Sequence, residues 1–163
     1  MLDHDKQGAR EANAGAIAKA KARGSASQAA AGNSVNAHNG APVPVLATPT
    51  IITLGVITPR VSGRLKVTAT YELTSDGGVV HTTTPQLGYK LTTAGLYTIF
   101  NSMGADTIPA AATTEISGTI QGVVSGLVPG LAYDIALILS ADAPGHLTVP
   151  TSSGEIDIQE MAA

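Results

Sequence analysis

The chain contains no cysteine and no tryptophan. The first absence excludes a disulfide framework and any thiolate chemistry, and it fits assembly in a reducing compartment. The second, with a single Phe and four Tyr, leaves Ala, Val, Ile, Leu and Thr to fill the core. A core without large rings buries less area per residue, and such domains often draw further stability from oligomerisation. No apolar run is long enough to span a bilayer. The start of the chain, with Asp3 and Asp5 and no apolar stretch behind them, is not that of a secretory signal. Formal net charge is −3, which argues against a nucleic acid or an anionic membrane as partner.

Catalytic patterns are missing as well. His4, His38, His81 and His146 show none of the close spacings of a metal-binding pair. There is no phosphate-binding GxxxxGK[ST] and no Gly-x-Ser-x-Gly elbow. Glu155 and Asp157 fall on one side of a strand, but Ile156 and Ile158 between them predict a half-buried strand with a wet acidic face. Basic residues interleaved with aromatics, the signature of single-strand binding, are absent too. The expectation is a protein without enzymatic activity, cofactor or metal.

What is present divides near Ala47. Residues 1–46 are rich in Ala, Gly, Asn, Ser and Lys. Residues 7–31 favour helix, yet Gly8, Gly15 and Gly24 interrupt it, each costing about 1 kcal/mol against Ala. Ile17 is the one large apolar residue from 6 to 34, so such a helix buries little by itself. Residues 33–40 read as a loop, and 41–49 as an extended or polyproline segment. The region as a whole is either a disordered tail or an anchoring arm, residues 1–49. As an arm, its apolar anchors toward a partner are Ile17, Val35, Val43, Val45 and Leu46.

From Thr50 the period becomes two. Residues 50–57 predict a strand. Residues 63–73 alternate, with Leu65, Val67, Ala69, Tyr71 and Leu73 on one face and Arg64, Lys66, Thr68, Thr70 and Glu72 on the other. Ser75-Asp-Gly-Gly78 is a turn. Short strands follow at 79–83 and 86–92. Residues 96–103 are ambiguous, and 108–112 read as a loop. Further strands fall at 113–124, 131–140, 146–149 and 155–160. Eight or nine short strands predict an all-β sandwich head, residues 50–163.

Charge is unevenly placed. All nine Lys and Arg lie at or before Lys90, whereas Asp106, Glu115, Asp134, Asp142, Glu155, Asp157 and Glu160 follow it. This is either a chance distribution over solvated faces or a basic arm meant for an acidic surface.

The closing stretch carries a resemblance. Gly126-Leu-Val-Pro-Gly-Leu-Ala-Tyr-Asp-Ile-Ala-Leu-Ile-Leu-Ser-Ala141, then His146-Leu-Thr-Val149, then Ile156-Asp-Ile-Gln-Glu160 resembles the end of jelly-roll domains in phage virion proteins of head-decoration (cement) and fibre type. It also resembles the trimeric heads of the tumour-necrosis-factor and C1q group. The likeness covers about a third of the chain. It implies a jelly-roll-like β-sandwich with an extended, partly helical N-terminal arm. It further implies a homotrimeric virion structural protein, assembled in the host cytoplasm, whose arm binds the major capsid protein or another virion lattice protein. A second resemblance competes: Gly126-Leu-Val-Pro-Gly-Leu-Ala-Tyr133 is similar to the corner of fibronectin type III domains, where the Tyr hydroxyl caps the turn. That alternative implies a receptor- or carbohydrate-binding module, as does a fibre tip, with Tyr89 and Tyr97 the aromatics available to a sugar.

Overall fold

The computed structural model describes residues 33–110 and 115–162. The expected helix and Ile17 lie outside them. Asn33–Ala163 forms one compact unit, built from β1 (Ser34–His38), β2 (Val43–Val45), β3 (Thr50–Ile57), β4 (Leu65–Ser75), β5 (His81–Leu91), β6 (Thr98–Ser102), β7 (Asp106–Ile108), β8 (Glu115–Val124), β9 (Tyr133–Ala141), β10 (Leu147–Val149) and β11 (Gly154–Glu160). One sheet runs β1-β11-β4-β10-β2, with β8 also paired to β4; the other runs β3-β9-β5-β6, with β7 also paired to β5. Every pairing is antiparallel. The chain crosses between sheets from β2 to β3, β3 to β4, β4 to β5, β7 to β8, β8 to β9 and β9 to β10, and its first described strand lies beside its last. The architecture is the jelly-roll-like sandwich expected.

The alternating face of β4 makes half the core. Leu65, Val67, Ala69, Tyr71 and Leu73 are buried against Ile135, Leu137 and Leu139 of β9, with Ile156 and Ile158 of β11 beside them. Each such aliphatic side chain contributes about 1.5–3 kcal/mol on burial. Tyr71 is the one aromatic enclosed almost completely, and its hydroxyl donates to Asp106 Oδ2 at 2.5 Å. Burial and that carboxylate both push the phenol's pKa up, so it stays a neutral donor. Gly118, opposite Tyr71 on β8, makes room: a Cβ there would lie 2.3 Å from the Tyr71 ring and hydroxyl.

Several strand boundaries differ from the sequence expectation. The two strands expected within 79–92 are a single one, β5 (His81–Leu91). Pro85 sits within it because the outer edge of β5 changes partner there: β7 pairs with His81–Thr83 and β6 with Gln86–Tyr89. The missing N–H of proline falls where one ladder ends and the next begins. The ambiguous stretch becomes β6, and the expected loop before residue 112 begins with β7.

The larger correction concerns residues 33–49, expected to belong to the arm. They are part of the sandwich. β1 pairs with β11 along its whole length, and β2 pairs with β10. Asn39, in the turn between them, is buried and works as a latch. Its side-chain amide donates to Ala41 O at 2.8 Å and Pro150 O at 2.7 Å, while its Oδ1 accepts from Gly154 N–H at 2.7 Å. Local composition suggested a loop because it cannot report a strand partner more than a hundred residues away.

Glu160 closes the opposite end of the β1–β11 ladder. Its carboxylate accepts backbone N–H groups from Arg60, Val61, Ser62 and Asn33. Burial by itself raises its pKa, but these four donors outweigh that and hold it down at about 2.

Candidate interaction face

The two sheets turn very different faces to solvent. On the sheet containing β4, the outward residues are Lys66, Thr70 and Glu72 of β4, Ser117, Thr119 and Gln121 of β8, Glu155 and Gln159 of β11, and Asn36 of β1. Register aligns them: Thr70 lies between Thr119 and Glu155, and Glu72 opposite Ser117. Val123, opposite Lys66, is the exposed large aliphatic on this face.

The sheet containing β3 does the reverse. Ile51, Leu54 and Val56 of β3 and Ile99 of β6 are all exposed. A register shift between Ile51 and Thr53 puts Ile51 opposite Ile138 and Leu54 opposite Ala136, on the outward side of β9. Gly88 of β5 is flanked by Ile138, Ile99 and Tyr97; a Cβ on it would lie 3.0 Å from Ile138. A groove forms over this floor, lined by Pro49, Ile51, Ile138, Ile99, Leu96 and Tyr97. Leu96 stands at its rim, 87% exposed.

The charges on this face neutralise each other. Asp134, outward on β9, is buried beneath Lys90, with Nζ 3.4 Å from Oδ2 and the Thr92 hydroxyl donating to Oδ1 at 2.9 Å. Lys90 in turn lies over the Tyr97 ring, 5.3 Å from its centre. Burial, with Asp134 nearby, raises the Tyr97 pKa and keeps the phenol neutral. A partner covering this face meets aliphatic surface and strands no lone charge, as the core of a protein interface requires.

Of the expected arm anchors, Val45 is fully buried and cannot meet a partner while the sandwich stays folded. Val35 and Val43 pack partly against the core, and Leu46 is 42% exposed. The four described anchors form no common surface with one another: Val35 is on β1, Val43 and Val45 on β2. The acidic C-terminal half is mostly engaged internally. Asp134, Glu160, Asp106 and Asp142 bind Lys90, backbone amides, Tyr71 and His81 respectively. Glu155 and Asp157 remain on the polar face, where they accept from Asn36 and Gln159. Sequence reasoning missed the apolar face, although a signal existed. Residues 51–57 and 135–139 carry apolar residues at odd and even positions alike, whereas a strand with one wet face alternates.

No protein-family model matches the chain, and no curated protein matches it. Solved structures do. The Eiger TNF of S. frugiperda matches with a TM-score of 0.54 at 10% identity, over 81% of this chain and 94% of that one. Murine APRIL at pH 5.0 matches with a TM-score of 0.53 at 12% identity, over 80% of this chain and 99% of that one. The structure of infectious bursal disease virus Gx strain is more distant, with a TM-score of 0.48, 8% identity, and coverage of 78% of this chain and 33% of that one. At these identities the first two establish a shared fold, the TNF-like jelly roll. The corner expected of a fibronectin domain is also present, since the Tyr133 hydroxyl accepts the Val128 N–H at 3.0 Å. It sits inside a jelly roll, so the tyrosine corner alone does not identify the fold.

Proposed function

We propose that the chain is a non-enzymatic structural protein of a phage virion, of the head-decoration or cement type, whose sandwich self-associates as a trimer. Residues upstream of Asn33, with Ile17 among them, tie it to a capsid or tail lattice protein. The observation that carries the reading is the apolar outward face of β3, β9 and β6. A structural oligomer needs such a surface, and its self-neutralised Lys90–Asp134 pair suits burial against a second copy. The fold supports the reading in general terms, and the closing stretch 126–160 supports the virion setting by resemblance.

The test is the solution mass of the full chain and of the compact unit 33–163, by light scattering coupled to size exclusion. A trimer for both supports self-association through the sandwich and leaves the upstream residues to a lattice. A monomer for both contradicts it.

One observation favours a second reading, a receptor- or carbohydrate-binding module. Tyr97 and Leu96 border an open groove, and a partly exposed aromatic beside a groove offers a face on which a sugar ring can stack. Tyr89 is less suited, since it packs against Phe100 and Tyr133. Glycan binding by 33–163 that is lost in Tyr97→Ala would favour this reading over the first.

A further inference from the structure

His81 and His146 are 65 positions apart in sequence, and the fold stacks their rings with centres 4.7 Å apart and planes 12° from parallel. His81 begins β5 after the turn that carries Asp76; His146 ends the loop before β10. The two segments are tied by the Asp76 N–H, which donates to His146 O at 3.0 Å. Metal-binding atoms of Asp76, His81 and His146 all fall within 4.8 Å of one another. This grouping is independent of the apolar face and of the function proposed for it.

The state of His81 is the decisive observation. The residue is 4% exposed. Its Nδ1 lies 3.2 Å from Asp142 Oδ1. An ionised carboxylate only accepts, so the proton between them sits on Nδ1. In neutral imidazole that leaves Nε2 with a bare lone pair, and Nε2 is buried with no hydrogen-bond partner. A buried acceptor without a donor is costly. A carboxylate-backed imidazole with its other nitrogen free is the form in which histidine binds metal.

We propose that Asp76, His81 and His146 form a site for one divalent transition-metal ion of the zinc type, with Asp142 orienting His81. Two imidazoles and one carboxylate are a donor set that zinc accepts, with solvent or a neighbouring molecule as fourth ligand. The stack has a consequence. Lone pairs lie in the ring planes, so near-parallel rings do not aim at a common point. One ring must turn, and it is His146. Its side chain and that of Asp76 are 41% and 53% exposed, and they hold each other by a 2.9 Å hydrogen bond that the ion replaces. His81, fixed on a buried strand, stays in place. The ion then clamps the β4–β5 turn to the β9–β10 loop.

The test is calorimetric titration of the full, chelator-stripped chain with zinc, alongside His4→Ala, which removes the N-terminal imidazole that could compete. Asp76→Asn and His146→Gln alter exposed turn residues, and circular dichroism checks that each remains folded. The expected result is one equivalent of zinc bound equally by the wild type and His4→Ala, at least tenfold more weakly by both turn variants. Asp142→Asn retains binding but weakens it by about tenfold, as loss of an outer-shell carboxylate does. In imidazole nitrogen spectra, zinc shifts His81 and His146 and leaves His38 unmoved. Absence of binding overturns the proposal. So does binding that vanishes in His4→Ala or persists undiminished in His146→Gln.

Discussion

The outward faces of the two sheets are made by strands of equal regularity and opposite chemistry. On β4, β8 and β11 each buried aliphatic is followed by Thr, Glu, Lys, Gln, Asp or Ser. On β3 and β9 the outward positions are Ile51, Leu54, Val56, Ala136 and Ile138. A sheet with one wet face needs only the first pattern. The second leaves Ile51, Leu54 and Val56 exposed beside the buried Ala136 and Ile138, and contiguous exposed apolar patches mark interaction sites. The asymmetry assigns the two sheets different duties. One closes the sandwich with its inner side alone; the other, on the function proposed above, is covered on both.

The contrast between inner and outer positions is broken most severely at adjacent residues 45 and 46. Val45→Asp buries a charge without a partner and is expected to leave the unit 33–163 unfolded. Leu46→Asp, one residue on, shifts stability by less than about 0.5 kcal/mol. Urea unfolding of the two variants measures both.

Within the β4 sheet, Gly118→Ala drives a methyl group into the Tyr71 ring and displaces its hydroxyl from Asp106. Overpacking of this kind costs about 1–3 kcal/mol, read as a lower urea midpoint. Thr119→Ala, next door but outward, costs under about 0.5 kcal/mol.

Glu160 sharpens the comparison through pH. Its folded pKa of about 2 lies below the ordinary 4.5. The carboxylate's contribution to stability is therefore full above pH 4.5 and lost as pH falls from 4.5 through 2. Thermal midpoints of the wild type should drop across that window. Glu160→Gln should be less stable at pH 7 and show a shallower drop. The smallest effect belongs to Val123→Thr on the polar face, expected within about 0.5 kcal/mol and without consequence for oligomeric state.

Much of the sandwich was legible. The alternation of 63–73 identified the core face of β4, and residues 50–57 became β3 at those boundaries. Glu155 and Asp157 take the wet side of β11, as Ile156 and Ile158 implied. What failed was whatever depended on a distant partner. Ser34–His38 looked like a loop because its stability comes from β11 and from the Asn39 latch to Pro150 and Gly154. Pro85 looked like a break because the partner change at the edge of β5 is a property of the sheet. The stacked histidines were invisible for the same reason, since nothing in a spacing of 65 residues brings two imidazoles together. The apolar face left a trace in the runs 51–57, interrupted only by Thr53 and Gly55, and 135–139, readable only when set beside the clean alternation of β4.

The most direct test of the account is the solution mass of paired double variants of the full chain across a range of concentration. Ile51→Asp with Leu54→Asp charges the apolar face; Thr70→Asp with Thr119→Asp charges the polar one. The account predicts an oligomer for the wild type and for the polar-face variant, and a folded monomer for the apolar-face variant. An apolar-face variant that keeps the wild-type mass, or a polar-face variant that alone dissociates, would contradict it.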